Sequence, residues 1–264
     1  MAKKPNFDAR RERKDPPEQA REGVICGRNA VLELLRGERT VDKICIQKGE
    51  REGSILQIEA LAREKGVPVV DAEKQKLDSM AGPLKHQGVV AFAAEKEYAT
   101  LDGILEIAKE RGEAPFILLC DGIDDPGNLG ALIRCAEGAG VHGVVIPKRR
   151  SVGLTAAVAR SSAGALEHMA VARVTNLSAA IDALKERGVW IYGAEADGQA
   201  YDQTDLSGAV AIVMGSEGTG LSRLVREKCD FILSIGMYGK VNSFNVSCAA
   251  AVLLCETARQ RHPH

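Results

Sequence analysis

A chain of 264 residues with 45% hydrophobic side chains can bury a sizeable core, in one large domain or two modest ones. Its formal net charge of −1 excludes a global basic field for nucleic acid, so any such contact must be local. No apolar run reaches the length of a bilayer span, and Met1 to Arg21 is charged and Pro-containing where a secretory leader is apolar, so the expectation is a cytoplasmic protein with no membrane partner.

In chain order, KKPNFDARRERK sets six basic residues against two acidic ones without hydrophobic periodicity, and residues 1–21 read as a disordered basic tail, either merely solvated or in contact with RNA. Residues 22–97 read as a small αβ module. Its expected elements are a helix over Asn29 to Arg36, strand KICIQ, helix SILQIEALAREKG, strand VPVV, a short helix over Glu73 to Met80 and strand GVVAFAA. TLDGILEIAKERGEAP then supplies a linking helix within residues 98–114. Over 115–264 the strands become continuous apolar runs, namely FILLCD, GVVIP, MAVARV, VWIYGA, AVAIVMG and FILSIG. Helical segments or Gly-rich turns separate them, which predicts a parallel sheet covered on both faces in an α/β domain.

Seven cysteines (26, 45, 120, 135, 229, 248 and 255) lie mostly in apolar stretches without zinc spacing and read as reduced core residues. The five histidines are isolated, so no metal is expected. Gly138, Gly140 and Gly143 match G-x-G-x-x-G by letter, but here a helix precedes the glycines and a strand follows, the reverse of the order that brings a phosphate to a helix N-terminus. Gly138 and Gly140 read instead as helix-ending residues with positive φ.

Three turns remain, each at the C-terminal end of an apolar strand and each leading into a helix: DGIDDPGNLGALIRCAEGAG, IVMGSEGTGLS and SIGMYGKVNSFNVSCAAA. Ligands of open parallel sheets bind outside the carboxyl ends of the strands, so the three can converge on one site. Gly215, Gly218 and Gly220 let backbone approach a ligand closely. In the third turn Asn242, Ser243, Asn245 and Ser247 exceed what capping one helix requires, which points to a ligand at that turn.

The three segments resemble the three motifs of the SpoU, or TrmH, family of RNA ribose 2′-O-methyltransferases: DPGNLGALIR with Asn128 and Arg134, GSEGTGLS with Glu217, and SFNVS with Ser243 and Asn245. RRSVGLT and SSAGALEHM sit where the family has its RRS and SAGA segments. REGVICGRNAVLELL and HQGVVA resemble the ribosomal-protein-like substrate-binding domain of the large-subunit rRNA guanosine methyltransferases of the RlmB type, and the resemblance runs from about Glu22 to Arg259. Phe244 departs from the Leu that many members carry, apolar for apolar.

The resemblance implies a SPOUT-type α/β domain tied in a deep trefoil knot, against the general rule of unknotted connections. It implies a homodimer that binds S-adenosylmethionine through the backbone at Gly215, Ile235 and Phe244. By the family pattern Arg134 is the proposed base or a phosphate clamp. Asn128 and Glu217 position it, and Ser243 and Asn245 orient the ribose or Arg134. The expected reaction is methylation of a guanosine 2′-OH in 23S rRNA, the alternatives being a tRNA methylase of the same family or a non-catalytic ribosome-assembly factor on the same fold. A different small-molecule transferase on an α/β sheet would leave residues 22–97 without a purpose.

Overall fold

Among the described residues the strands of the computed structural model form two sheets, one for each αβ region expected from the sequence. The structure describes residues 23–49 and 51–262, so the basic tail lies outside the described residues. The first sheet takes β1 (Val24–Cys26), β2 (Val41–Gln47), β3 (Val69–Ala72) and β4 (Val89–Ala93), with α1 (Arg28–Arg36), α2 (Ser54–Glu64) and α3 (Lys74–Ala81) between them. The strand order is β1-β4-β2-β3, with β4 antiparallel to both neighbours and β2 parallel to β3. Sequence reading found the helices and missed β1, which has only three residues between glycines at φ 79° and φ 100°. It also placed the third strand early: VPVV was expected to pair, yet pairing runs from Val69 to Ala72 at the sheet edge. There Val69 and Val70 remain exposed, so hydrophobicity did not mark burial.

The second sheet has the order β10-β8-β9-β5-β6-β7 and is parallel throughout: β5 (Phe116–Asp121), β6 (Gly143–Pro147), β7 (Val171–Val174), β8 (Trp190–Ala200), β9 (Val210–Gly215) and β10 (Phe231–Ser234). Side chains of a strand alternate between faces, and β5 shows both faces buried. Phe116, Leu118 and Cys120 join a cluster with Leu132, Ile133, Leu253 and Leu254. These come from α5 (Pro126–Gly138) and α9 (Val246–Arg261). Ile117 and Leu119 join Ile104, Ile181 and Val225, from α4 (Leu101–Glu110), α7 (Leu177–Lys185) and α8 (Arg223–Lys228) on the other face. The first cluster continues through Leu34, Leu35 and Ile44, so the small module shares a core with the larger unit.

Strand β8 runs past the expected end of VWIYGA to Ala200. Its pairing with β10 jumps from Gly193↔Ile232 to Gln199↔Leu233, which leaves Ala194 to Gly198 as an expanded bulge. Gly198 permits this return, since a Cβ there would lie 2.4 Å from the Ile232 carbonyl oxygen. The three fingerprint-like glycines have separate structural roles. Gly140 has φ 76°, as expected for a helix end, but Gly138 is the last residue of α5 without positive φ, a correction to the sequence reading. Gly143 lets α4 lie close on β6, because a Cβ would meet Ile104 at 2.5 Å.

His142 gives this unit a pH dependence. Its Nδ1 accepts from the Phe116 N–H at 2.9 Å and its Nε2–H donates to Glu113 at 2.9 Å, so the buried ring is neutral. Burial holds its pKa below the ordinary 6.5, outweighing the opposing pull of the Glu113 carboxylate. The unfolded chain therefore binds this proton at a higher pH than the folded chain does. The histidine's contribution to stability is complete above about pH 6.5 and declines as the pH falls below it, by at most about 1.4 kcal/mol per pH unit. Urea unfolding followed from neutral to mildly acid pH should show this decline, and His142→Gln should flatten it. An identical acid dependence in both proteins would place its origin elsewhere.

Candidate functional site

Asp121 and Gly215 end the adjacent strands β5 and β9 in register, so the first two turns leave the sheet side by side. In the first turn Asp125 caps α5 by accepting from the Asn128 N–H at 2.7 Å, and Pro126 fills the first helical turn, where no N–H partner is needed. Close packing holds α5 down on α6 (Ala156–Ser161): a Cβ at Gly130 would lie 1.8 Å from Ser161 Oγ.

The second turn folds back on itself. Ser216 and Gly220 exchange backbone hydrogen bonds of 3.1 and 3.0 Å, while Gly218 and Gly220 adopt φ of 85° and 65°. Gly215 is buried against this return, and a Cβ there would sit 2.2 Å from the Gly220 carbonyl carbon. Three charged residues that sequence reading did not single out hold the far end. Asp121 accepts from the Ser222 N–H at 2.7 Å, and Glu195, in the β8 bulge, accepts from the Leu221 N–H at 3.0 Å. Arg226 then bridges Glu195 to Asp197, with 2.9 Å to the latter.

In the third turn Asn245 caps α9, accepting from both the N–H and the hydroxyl of Ser247 at 3.0 and 2.6 Å. Its amide nitrogen donates to Asn128 Oδ1 at 3.0 Å and to Glu217 Oε1 at 2.6 Å. Asn128 closes the triangle by donating to the same Glu217 oxygen at 3.0 Å. One side chain from each turn thus meets at one point, where a single Glu217 oxygen accepts from two amides.

The other expected residues divide around this point. Ile235 is half-buried, Phe244 is 48% exposed, and Val241 and Tyr238 beside it are more exposed still, so the third turn presents an uncovered apolar edge. Ser243 is exposed and outside the triangle. Arg134 is also outside it. Six residues on from Asn128 at about 100° each turns it about 240° around α5, onto a different face. There it lines a cleft of about 700 Å³ together with residues of α1 and α2, and no ion pair holds it among the described residues. The structure therefore brings Asn128, Glu217 and Asn245 together and leaves Arg134 apart within one chain.

Burial pushes the thiols of Cys26 up to about 11 and of Cys120 and Cys229 up to about 12, which suits inert core residues. Cys248 and Cys255 correct the expectation of an all-core set: both are exposed on α9, where the run CAAAVLLC is apolar all round but is covered on one face among the described residues. Among the described residues no group of three or more His, Cys, Asp or Glu is placed to hold a metal ion. None of the described helices is long and apolar enough to cross a membrane.

Comparison with known proteins identifies the family of each of the two αβ regions. The SpoU rRNA Methylase family matches residues 115–255, over the larger sheet and all three turns. This chain belongs to that family. The family RNA 2′-O ribose methyltransferase substrate binding matches residues 24–99, over the smaller sheet. A Bacillus subtilis (strain 168) protein, YacO, assigned to the TrmH family of tRNA/rRNA methyltransferases, is 45% identical over 240 residues, covering 90% of this chain and 96% of the relative. A Staphylococcus haemolyticus protein with the same assignment is 47% identical over 241 residues, with the same coverage. Among solved structures, the SpoU methyltransferase AviRb of Streptomyces viridochromogenes, in complex with the cofactor AdoMet, shares the fold. Its TM-score is 0.74 at 24% identity over 90% of each chain. An RNA 2′-O ribose methyltransferase superposes with a TM-score of 0.75 at 25% identity, over 90% of this chain and 88% of that one.

Proposed function

We propose that this chain methylates a ribose 2′-OH of RNA from S-adenosylmethionine, with a guanosine of 23S rRNA as the target, and that it works as a cytoplasmic homodimer. The observation that carries the proposal is the closed Asn128–Glu217–Asn245 triangle at the carboxyl ends of β5 and β9, beside an uncovered apolar edge. The module over residues 24–99 supports an RNA substrate, and a SAM-sized cofactor suits the edge chemically. Gly215 and Gly220 let the second turn fold tightly at the end of β9, while Ile235 and Phe244 offer apolar area to an adenosyl group.

When bound, S-adenosylmethionine supplies an electrophilic methyl group on a sulfonium centre. The chain's own residues must then orient a weak nucleophile and help it lose a proton. Asn245 and Glu217, locked by their mutual hydrogen bonds, form a rigid polar wall for the ribose, with Ser243 beside them. Arg134 carries a planar fork of donors suited to a phosphate. Its separation from the triangle supports the homodimer, because a second chain can supply the arginine that one chain does not bring. The α9 face bearing Cys248, Ala251, Val252 and Cys255 is small, apolar and only partly covered, as a helix-packing interface requires. A trefoil knot in the proposed catalytic unit, residues 115–264, is supported by the path of the chain. β10 lies at the sheet edge with β8 and β9 between it and β5, yet Asn245 returns to the turns of β5 and β9.

Incubation with methyl-labelled S-adenosylmethionine and, separately, large-subunit rRNA and bulk tRNA tests the reading, with 2′-O-methyl positions mapped by primer extension. The expected result is label at one guanosine of the large-subunit rRNA, from a species that light scattering sizes at twice 28.2 kDa. Label in tRNA alone would overturn the rRNA assignment. A monomer at full activity would remove the dimer.

A further inference from the structure

The carboxyl edge of the larger sheet carries the Asn128–Glu217–Asn245 triangle at the ends of β5 and β9, and the ends of β6 and β7 lie outside that site. Those two strands end in cations. β6 runs into Lys148, Arg149 and Arg150, and Arg173 is the third residue of β7. All four are exposed, and none makes an ion pair among the described residues. On α7 and α8, by contrast, Lys185, Arg226 and Lys228 each meet a carboxylate within 2.9 Å. In a chain of net charge −1, the open cluster is a local excess of positive charge.

The cluster is held in shape by its neighbours. Pro147 pairs with Val174, and the Lys148 N–H donates to the Val174 carbonyl at 2.8 Å, which fixes the start of the loop beside β7. Arg173 Nη2 donates to the Lys148 carbonyl at 3.3 Å, so the two cations belong to one surface. The Arg173 guanidinium also lies over the ring of Tyr98, 5.4 Å from its centroid, and the Tyr98 hydroxyl accepts from the Leu154 N–H at 3.0 Å. An exposed arginine is thereby steadied against an aromatic ring that is itself 37% exposed. Within the same loop Arg150 takes φ 56°, a left-handed conformation that disfavours a residue with a side chain, and strain of this kind concentrates at functional sites.

The loop also lies against the first turn of the triangle, since the Val152 N–H donates to the Ile123 carbonyl at 3.0 Å. A Cβ at Gly122 would lie 4.0 Å from the Arg150 carbonyl oxygen and 3.5 Å from Ser216 Cβ, so one glycine separates the loop from the second turn. Neighbouring strands are about 5 Å apart, which sets the ends of β6 and β7 about 5 and about 10 Å along the sheet from β5. A nucleotide adjoining one held at the triangle reaches that far. The acidic groups of the first turn leave the cations open: Asp121 accepts from Ser222, Asp125 accepts from Asn128, and Asp124 makes no ion pair among the described residues.

We infer that Lys148, Arg149 and Arg173, with Tyr98 against Arg173, form a subsite for the RNA nucleotide adjoining the one that is methylated. The cations hold its phosphate, and its base stacks on the Arg173–Tyr98 pair. Lysine and arginine neutralise phosphates, while guanidinium planes and aromatic rings take up unstacked bases whatever their sequence. The subsite rests on the reading of the chain as an RNA methylase, and it belongs to the larger sheet and not to the smaller one.

The test measures binding of a fluorescein-labelled single-stranded RNA of mixed sequence, and of a base-less ribose-phosphate strand of the same length, to the full chain at several salt concentrations. Methyl transfer to large-subunit rRNA is followed alongside. Lys148→Gln with Arg149→Gln should weaken binding of both strands at least about tenfold and lower the slope of log affinity against log salt by about 0.7 per lost phosphate contact. Arg173→Lys keeps the charge and loses the plane, so the slope should stay while the advantage of the RNA over the base-less strand shrinks about tenfold. Lys109→Gln, at a lysine paired with Glu106 on α4, should change neither. In all three, S-adenosylmethionine affinity and the unfolding midpoint should match the parent, which separates loss of an RNA contact from damage to the fold.

A parental slope in the first variant would remove the phosphate grip, and an undiminished base advantage in the second would remove the stack. Either result overturns the subsite while the methylase reading stands. If the parent chain transfers no methyl to any RNA, the methylase reading fails, and the slopes, which need no turnover, still decide whether the cluster holds RNA. Should the double variant lower the unfolding midpoint, Arg149→Gln alone removes a side chain without an ion pair or hydrogen bond among the described residues, and a parental slope there overturns the grip.

Discussion

Arg134→Ala is expected to lower methyl transfer by about 10²–10⁴-fold, the range that a positioned proton-transferring or charged group supplies, while cofactor affinity and fold remain. Arg134 is exposed on α5 and no ion pair holds it among the described residues, so its removal should shift stability by no more than about 0.5 kcal/mol. It lines the cleft beside α1 and α2 and makes no hydrogen bond to the second or third turn among the described residues, so calorimetric titration with S-adenosylmethionine should be unchanged. Arg134→Lys should recover little, because an ammonium group is a point charge and cannot reproduce two parallel donors on a phosphate. Single-turnover transfer at saturating RNA separates chemistry from binding. Retained transfer in both variants would make Arg134 peripheral and remove the main reason for a two-chain site. Mixing Arg134→Ala with Asn245→Ala chains offers a further check, since activity restored in the mixed dimer requires the two residues to act from different chains.

The separation of Arg134 from Asn128 was legible in principle. Both lie in one helical run, and a spacing of six at 3.6 residues per turn cannot place them on one face. The triangle itself was readable as three strand-end turns, because Asn128, Glu217 and Asn245 each follow an apolar run that becomes a parallel strand, buried in β5 and β9 and at the sheet edge in β10. Asp121, Glu195 and Arg226 were not readable as a set. They hold the second turn from β5, from the β8 bulge and from α8, and only the order β8-β9-β5 makes them neighbours. Glu195 was hidden further by the bulge itself, since EADG reads as the end of a strand until the close approach of Gly198 to Ile232 shows why the strand continues. The errors at β3 and α9 share a cause. Apolar composition reports what an element can bury, and Val70, Cys248 and Cys255 are apolar positions left exposed among the described residues.

A three-glycine series should show how tightly the second turn is built. Gly138→Ala meets nothing within 4 Å and replaces a helical glycine, so it should stabilise the chain by up to about 1 kcal/mol through helix propensity. Gly218→Ala also has open space, but φ of 85° strains any side-chain-bearing residue, and a loss of about 1–2 kcal/mol is expected without a change in the turn's shape. Gly215→Ala differs in kind. Its Cβ would lie 2.2 Å from the Gly220 carbonyl carbon and 2.5 Å from the Leu221 nitrogen, both backbone atoms that no rotamer change can move aside. Relief requires the return of the turn to open, which breaks the Ser216–Gly220 bonds and pulls Leu221 from Glu195 and Ser222 from Asp121. Overpacking of this sort costs about 1–3 kcal/mol, and a clash with backbone puts it at the upper end of that range. If the turn is the cofactor's wall, most of that loss appears in binding, a fall in S-adenosylmethionine affinity of about 100-fold by the conversion of about 1.4 kcal/mol per tenfold. Thermal unfolding and calorimetry on the three variants separate the contributions. Gly215→Ala with a lowered midpoint and parental S-adenosylmethionine affinity would show that the turn supports the sheet and takes no part in holding the cofactor.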